Sequence, residues 1–401
     1  MIVLAAGVVG WPVRAVAGIV VRDGQFVQPG GRVLLPRGFN YIRLYPGRSH
    51  DTFDPEQYDP AAAERAMRRW RADKFNVVRV FINTAAHVPG TIAQKEGRGL
   101  SGTYVANIAD FLARARQNEI GVMLCTESFP RVAPYSDGLR KPGPMVSAAN
   151  AAYLEAGHVR AKAQFLKDLI GALHLARPGC LDAIFSYDLQ NEFCFHGGPP
   201  FTLDAGSFVA LDGKAYALPG RRQDLADGAA IHFIDRMADA IHGVHAGALV
   251  SASVFTYAAV GRVGPGDFGI KKAEWQNRIP FRPLAILRSK ADFLDLHFYP
   301  ADAKGWERDL ASVEFDEVRK LAQELGKPLL VGEFGGFKRM LQTPESAAVW
   351  MGELAGRFEG RGFAGWLYWT YDTHEQGDEL WHACERDGMI YGQLKRALGF
   401  R

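Results

Sequence analysis

Short apolar runs rich in β-branched and aromatic residues recur along the chain, and segments with helical periodicity separate them. Continuous apolar runs of this length are typical of parallel strands buried on both faces. Eight such runs alternate with helical sequence, which predicts a closed (β/α)8 TIM barrel rather than an open doubly wound sheet. The predicted strands span residues 37–41, 75–82, 120–127, 184–192, 248–255, 293–300, 328–333 and 365–371. The predicted helices span residues 59–73, 104–117, 151–176, 224–245, 283–290, 314–325 and 344–359.

The lengths of the connections support the same architecture. Joins from a helix to the next strand are short, whereas several joins from a strand to the next helix are long. In a (β/α)8 barrel the long joins line the carboxyl-terminal face, where active sites lie. The long joins span about residues 84–103, 128–150, 194–223, 256–282 and 372–388.

The amino-terminal part of the chain differs from this repeating pattern. Residues 18–35 contain two short strand patterns with turns at Asp23-Gly24 and Pro29-Gly30-Gly31, which predicts a small β-hairpin cover on the barrel. No linker, repeat or low-complexity tract follows, so residues 18–401 are expected to form a single domain.

Residues 1–17 resemble part of a secretory signal, because a short apolar stretch ends in small residues before Gly18. This predicts a secreted or periplasmic protein. No basic region precedes the stretch, so a packed N-terminal segment of a cytoplasmic protein is the alternative. The segment is too short and too interrupted to span a membrane.

Composition and charge exclude several classes of function. The 401 residues are 48% hydrophobic and 23% charged, as in globular proteins with a large core. With 47 basic and 44 acidic residues and no basic cluster, neither nucleic acid nor an anionic membrane is expected as a partner. The four cysteines lack metal-type spacing, and nucleotide-binding, zinc-protease and serine-hydrolase motifs do not occur. No cofactor or metal is therefore expected.

Two acids stand at the ends of predicted strands. Glu192 follows Asn191 at the end of the fourth strand, and Glu333 ends the seventh between Gly332 and Gly335. A single acid at such a place is an ordinary helix cap. Two acids on the same face of a barrel favour glycoside hydrolysis, because this reaction needs two carboxyl groups across the scissile bond and strand ends hold them rigidly.

The strand-end residues together resemble clan A retaining glycoside hydrolases, and glycoside hydrolase family 5, the cellulase-like group, is the closest match. The similarity spans about residues 18–400. It implies that Glu192 is the general acid/base and Glu333 the nucleophile of a β-glycosidase acting on oligo- or polysaccharides. Retention implies carboxyl groups about 5–5.5 Å apart. The residues that carry the resemblance are Arg79, Asn191, Glu192, His297, Tyr299, Glu333 and Trp369.

Residues around the two acids have expected roles. Arg79 lies inside an apolar strand, where an unpaired charge is unfavourable, so we expect it to pair with the barrel's acids and favour ionised Glu333. Burial beside a second carboxylate is expected to raise the pKa of the acid/base. Asn191 is expected to bind a sugar 2-hydroxyl. His297 and Tyr299 face the same side of their strand, and Tyr299 is positioned to donate its hydroxyl to Glu333.

The remaining candidates concern the substrate. Trp369 is predicted to be the sugar platform, and Asn40 either binds substrate or satisfies a turn. Glu127 stands where the family often has a histidine, and it is expected to bind a sugar hydroxyl or pair with an arginine such as Arg131. Phe193 replaces the proline that commonly follows the acid/base. These departures leave the sugar and the choice between endo and exo action open.

Three alternatives share this arrangement of residues. A transglycosylase would use the same two acids with a sugar as acceptor. A non-catalytic carbohydrate-binding barrel would have no need of two facing acids. A metal-dependent hydrolase would use His297 and the glutamates as ligands.

Overall fold

The computed structural model describes residues 18–42, 51–85, 90–94, 98–256, 278–299, 305–373 and 379–399. The signal-like residues 1–17 and most of the predicted loop 256–282 lie outside the described residues. In the described part of the chain, no helix combines the length and the apolarity needed to cross a bilayer.

Eight parallel strands close into a barrel, which confirms the predicted (β/α)8 fold. Each barrel strand pairs with the next one along the chain, and the eighth pairs with the first. We number the barrel strands one to eight in this order. They are Arg37–Asn40, Val77–Phe81, Gly121–Cys125, Ile184–Asp188, Leu249–Phe255, Phe293–Phe298, Leu329–Phe334 and Gly365–Tyr368.

Helices pack around the outside of the barrel and bury their apolar stripes against it. Several begin where the sequence provides a capping side chain: Asp59 accepts from the amides of Ala61 and Ala62, and Thr343 forms a capping box with Ser346. The helices are Pro60–Ala72, Gly102–Gln117, Ala151–Leu154, Ala156–Ala176, Arg222–His242, Pro283–Arg288, Gly305–Leu310, Val313–Glu324, Pro344–Gly360 and Glu385–Ala397.

A small antiparallel sheet covers the amino-terminal end of the barrel. The predicted hairpin is present and carries a third strand, so that Val20–Arg22, Gln25–Val27 and Val33–Leu34 pair in sequence order. Phe26 inserts into the barrel end, where its ring centroid lies 5.0 Å from those of Phe185 and Phe293. The cover therefore closes the end of the barrel opposite the predicted active site.

The fourth barrel strand is shorter than predicted. It ends at Asp188 rather than at Asn191-Glu192, so these two residues lie in a turn beyond the sheet. Just beyond the strand, the carbonyl oxygen of Leu189 accepts a hydrogen bond from the side chain of Lys162. The two acids are thus held differently, one in a turn and one in a strand.

Short strand pairs fasten the loops around the carboxyl-terminal mouth. Cys194–His196, after strand four, pairs with Arg278–Pro280, after strand five, and Gly336–Phe337 pairs with Leu380–Trp381. Phe193 is fully buried and stacks on Phe281 with ring centroids 4.6 Å apart. The aromatic side chain at position 193 therefore anchors the loop that follows the fourth strand.

Candidate active site

Glu192 and Glu333 meet at the carboxyl-terminal mouth of the barrel. Glu333 is the last residue but one of strand seven and is 2% exposed, whereas the side chain of Glu192 is 16% exposed. An oxygen of each carboxylate and a ring nitrogen of His297 all lie within 4.8 Å of one another. His297 Nδ1 is 3.2 Å from Glu192 Oε1 and 3.5 Å from Glu333 Oε2. A single imidazole therefore lies against both carboxylates.

Arg79 is the cation beneath the two acids. Its fully buried guanidinium donates through Nη1 to Glu333 Oε1, and its Nη2 lies 2.6 Å from Asp188 Oδ2. Nη2 also donates to Asn191 Oδ1 at 2.9 Å. The guanidinium plane lies over the ring of Phe81, 4.4 Å from its centroid. This one side chain fixes the positions of groups from strands four and seven.

The two asparagines near Arg79 differ in what their amides can bind. Asn191 accepts from Arg79 through Oδ1, which turns its Nδ2 donors away from the guanidinium. Asn40 is fully buried; its Oδ1 accepts from Arg79 at 3.1 Å and its Nδ2 donates to the carbonyl oxygen of Gly332 at 2.9 Å. Asn40 therefore connects Arg79 to the backbone of strand seven, and the choice between binding substrate and satisfying a turn stays a prediction.

The backbone of Glu192 adopts the left-handed conformation, with φ of +49°. This conformation costs a non-glycine residue about 1–3 kcal/mol, so neighbouring contacts must hold it. Ser253 on strand five supplies them: its Oγ accepts from the amide of Glu192 at 3.0 Å and donates to the carbonyl of Gln190 at 3.0 Å. Strand five thus holds the turn that carries Glu192.

Burial and neighbouring charges shift the pKa values of His297 and Glu333. Burial alone would lower the pKa of His297, but the carboxylate of Glu333 opposes this. Together with Asp295 and Glu192 it raises the pKa to about 10, so the imidazole is cationic at neutral pH. Burial raises the pKa of Glu333 to about 7, although His297 and Arg79 favour its ionised form. The expected influence of Arg79 on Glu333 is therefore outweighed by desolvation.

Replacing Tyr299 by phenylalanine is expected to shift the acid limb of kcat/KM to higher pH. Tyr299 donates its hydroxyl to Glu333 Oε2 at 2.8 Å, and this bond favours the ionised carboxylate. Its loss raises the pKa of Glu333 further, so activity is lost at a higher pH as pH falls. The expected shift is about one pH unit, the worth of one hydrogen bond to a charged group.

The control for this pH profile is Tyr135→Phe, which removes a 3.0 Å hydrogen bond to Asp168. That variant should keep the wild-type profile. An acid limb that stays in place or moves to lower pH in Tyr299→Phe would show that this hydroxyl does not act on the carboxylate of Glu333.

The mouth also has an apolar part. Trp369 lies in a small buried cluster with Ile42, Phe81, Cys125 and Leu380, and its ring centroid is 5.9 Å from that of Phe81. Trp369 stands directly after strand eight, and its role as a sugar platform stays a prediction. None of the four cysteines forms a disulfide, including Cys125 in this cluster.

Glu127 lies half-buried beyond the end of strand three, on the same face as the two acids. Its backbone carbonyl accepts from Lys162 at 3.1 Å. Arg131, which was a possible partner, has its guanidinium over the ring of Phe129 at 4.3 Å. A role of Glu127 in substrate binding stays a prediction.

Sequence reasoning missed two buried acids, Asp188 and Asp295. Asp188 is the partner of Arg79, and Asp295 Oδ2 lies 3.8 Å from His297 Nε2. A side chain at Gly332 would collide with the carboxylate of Asp295, so the glycine makes room for this acid. The sequence did contain an indication of Asp295, because this residue stands two positions before His297 and therefore faces the same side of strand six.

Glu192, His297 and Glu333 form the one group within the described ranges that has the geometry of a metal site. The group lies within a network of ion pairs, because His297 faces the carboxylates of Glu192, Glu333 and Asp295. An oxygen of Glu333 is also already bound to the guanidinium of Arg79. This cationic environment favours acid–base and nucleophilic roles for the two glutamates.

No protein-family model matches the chain, and no curated protein matches it. Several solved structures match the chain. An endo-1,4-β-mannanase from Rhizomucor miehei superposes with a TM-score of 0.65 at 14% identity, over 96% of this chain and 100% of that one. An exo-β-1,4-mannosidase from an Opitutaceae bacterium gives a TM-score of 0.59 at 15% identity, over 95% of this chain and 62% of that one.

A GH5_18 variant from Streptomyces cattleya in complex with Manβ1-4GlcNAc gives a TM-score of 0.55 at 15% identity, over 91% of this chain and 81% of that one. These neighbours match across nearly the whole of the chain rather than over a fragment. The chain therefore shares the (β/α)8 barrel fold of glycoside hydrolases that include a member of family 5.

Proposed function

We propose that the protein is a retaining glycoside hydrolase that cleaves β-linked oligo- or polysaccharides by double displacement. The observation that carries this proposal is the spacing of the two carboxylates, whose nearest oxygens lie within 4.8 Å. Retaining enzymes place their carboxyl groups about 5–5.5 Å apart, whereas inverting enzymes leave about 6.5–9.5 Å for a water molecule. The close approach of Glu192 and Glu333 supports retention.

The contacts of each acid support its role. Glu333 is buried and accepts from Arg79 and Tyr299, which fixes the orientation of its carboxylate for attack on an anomeric carbon. Glu192 is more exposed and has His297 as its neighbour, so it can reach the oxygen of a leaving group. We assign Glu333 as the nucleophile and Glu192 as the general acid/base.

The reaction then has two steps. In the first, Glu333 attacks the anomeric carbon while Glu192 gives its proton to the departing glycosidic oxygen, and a covalent glycosyl-enzyme forms. In the second, Glu192 takes a proton from water, which attacks the same carbon and releases Glu333. The Nδ2 group of Asn191 is placed to hold the sugar 2-hydroxyl, a contact that strengthens in the transition state. Cationic His297 stabilises the carboxylate that Glu192 becomes once its proton has passed to the leaving group.

For the substrate, β-mannosides are the first class to test. The structural neighbours are an endo-1,4-β-mannanase, an exo-β-1,4-mannosidase and a protein in complex with Manβ1-4GlcNAc. These likenesses support a β-1,4-linked mannose unit as the glycosyl donor.

The direct test of this proposal is hydrolysis of a panel of aryl β-glycosides and β-linked polysaccharides that includes β-mannoside and mannan. We expect wild type to cleave at least one β-linked member. If wild type and Glu333→Ala bind a panel glycan equally and neither cleaves it, the protein is a carbohydrate-binding barrel and the proposal fails. Transfer of the glycosyl group to an added sugar in preference to water would identify a transglycosylase.

Replacing Glu192 by alanine is expected to lower kcat/KM by about 10²–10⁴-fold on substrates with poor leaving groups, the usual contribution of a general acid. A 2,4-dinitrophenyl glycoside needs no protonation of its leaving group, so its kcat/KM should fall by less than about tenfold. Steady-state kinetics on both substrates measures this difference.

The matched control is Glu307→Ala, which removes a 55% exposed carboxylate on the outer surface and should leave both rates unchanged. Equal losses on the two substrates in Glu192→Ala would contradict the acid/base assignment.

A further inference from the structure

Lys162 is a buried cation that the proposed mechanism does not use. It lies on helix Ala156–Ala176, outside the barrel, and is 3% exposed. The residue falls on the apolar stripe of its helix, between Val159 and Phe165, where a charge is unexpected. Its Nζ reaches the carboxyl-terminal ends of strands three and four.

Four oxygens surround this ammonium group. Nζ donates to the carbonyl of Thr126 at 2.6 Å and to that of Glu127 at 3.1 Å, both just beyond strand three. It also contacts the carbonyl of Leu189, and it lies 3.2 Å from Gln190 Oε1, just beyond strand four. An ammonium has three protons to donate, so these acceptors use its full capacity.

The placement of the charge is energetically demanding. Burial lowers the pKa of Lys162 to about 7, and Nζ donates to carbonyl and amide oxygens, which are neutral. Burying an ammonium is unfavourable unless hydrogen bonds compensate it. Here the compensating hydrogen bonds come mainly from backbone carbonyl groups just beyond strands three and four, where the pairing between these barrel strands has ended.

These contacts continue to the catalytic turn. Leu189 and Gln190 directly precede Asn191 and Glu192 in the chain. The carbonyl of Gln190 accepts from Ser253 Oγ, which in turn accepts from the amide of Glu192. Lys162 therefore holds one side of a turn whose other side is held by strand five, and between them Glu192 keeps its left-handed backbone.

We propose that Lys162 is a positioning residue that ties the ends of strands three and four together and thereby holds the Asn191-Glu192 turn in its catalytic geometry. The tether itself follows from the contacts of Nζ. Its consequence for proton transfer rests on the proposed function, in which Glu192 is the acid/base.

Hydrogen exchange of the backbone tests the tether without any substrate. The amides of Leu189, Glu192 and Phe193 donate to Ser251 O, Ser253 Oγ and Ser253 O, respectively. In Lys162→Met these three amides should exchange at least about tenfold faster than in wild type, while amides of strands one, two and eight keep their rates. Lys162→Gln, which keeps a donor without the charge, serves as a milder variant if the methionine variant does not fold.

The matched control is Lys327→Met. Lys327 is a half-buried lysine that likewise donates to two carbonyls, those of Leu287 and Ser289 at 2.8 and 2.7 Å, but it lies at the opposite end of the barrel. Its replacement should leave the exchange of the catalytic turn unchanged. Unchanged exchange of that turn in the Lys162 variants, or a uniform increase throughout the barrel, would overturn the tether.

The kinetic readout separates positioning from general stability. If Lys162 positions Glu192, Lys162→Met should lower kcat/KM at least about tenfold on glycosides with poor leaving groups and less than about threefold on a 2,4-dinitrophenyl glycoside. Equal losses on both substrates would overturn the positioning role and leave a structural tether. If wild type cleaves no glycoside, the proposed function fails, and the exchange experiment still decides whether the tether exists.

Discussion

Replacing Glu333 by alanine is expected to lower kcat by about 10⁵-fold or more, the scale observed when an enzyme loses its covalent nucleophile. The reason is that Glu333 is the carboxylate fixed by Arg79 and Tyr299, and the shorter side chain leaves nothing to attack the anomeric carbon. Steady-state kinetics on an aryl β-glycoside measures the loss.

Added azide extends this prediction. In Glu333→Ala a small anion can enter the space of the missing carboxylate and attack the anomeric carbon, giving a glycosyl azide of inverted anomeric configuration. In Glu192→Ala azide should instead attack the glycosyl-enzyme and give the retained anomer. The surface variant Glu353→Ala, whose side chain is 57% exposed, should behave as wild type. A retained azide product from Glu333→Ala would contradict the assignment of the two acids.

Replacing Arg79 by methionine is expected to lower the free energy of unfolding by about 3–5 kcal/mol, the usual cost of removing one partner from a buried ion pair. The guanidinium is fully buried and contacts the carboxylates of Asp188 and Glu333, so methionine leaves Asp188 without its ion-pair partner and Glu333 with His297 alone. Activity should fall as well, because Arg79 also holds Asn191. Urea denaturation at pH 7 measures the change in stability.

A second substitution separates charge from packing in this variant. Arg79→Met combined with Asp188→Asn removes the cation together with one buried carboxylate, so the double variant should regain part of the stability lost in Arg79→Met. A loss below about 1 kcal/mol in Arg79→Met, or no recovery in the double variant, would contradict the view that Arg79 neutralises the acids beneath the active site.

The barrel and its two principal acids could be predicted from sequence because both depend on local patterns. Apolar runs separated by helical periodicity identify parallel strands and their covering helices. The rule that long loops lie at the carboxyl-terminal face then places Glu192 and Glu333 on one side of the molecule without any knowledge of distances. Arg79 was detectable as a charge within an apolar strand.

Other features depend on which residues the closed barrel brings together. Asp188 and Asp295 are inward-facing residues, but their roles depend on the stagger of neighbouring strands, which sequence does not give. Strand four ends at Asp188, and the carbonyl of the next residue accepts a hydrogen bond from Lys162, which lies on a helix 26 residues before Asp188. Lys162 interrupts an apolar helical stripe, so its burial was predictable, whereas its partners were not.

The pKa of Glu333 illustrates the same limit. Sequence places a cation near this acid and thus favours ionisation, but the net effect depends on how deeply the carboxyl is buried and on His297 and Glu192 beside it. These quantities exist only in the folded chain.

Under the proposed function, hydrolysis proceeds with retention through a glycosyl-enzyme on Glu333. The most direct measurement is ¹H NMR of the sugar first released by wild type from whichever β-glycoside of the panel it cleaves, recorded before the anomers equilibrate. The close carboxylates predict that the β-anomer appears first and the α-anomer follows by mutarotation. An α-anomer released first would mean inversion and would contradict the covalent role of Glu333.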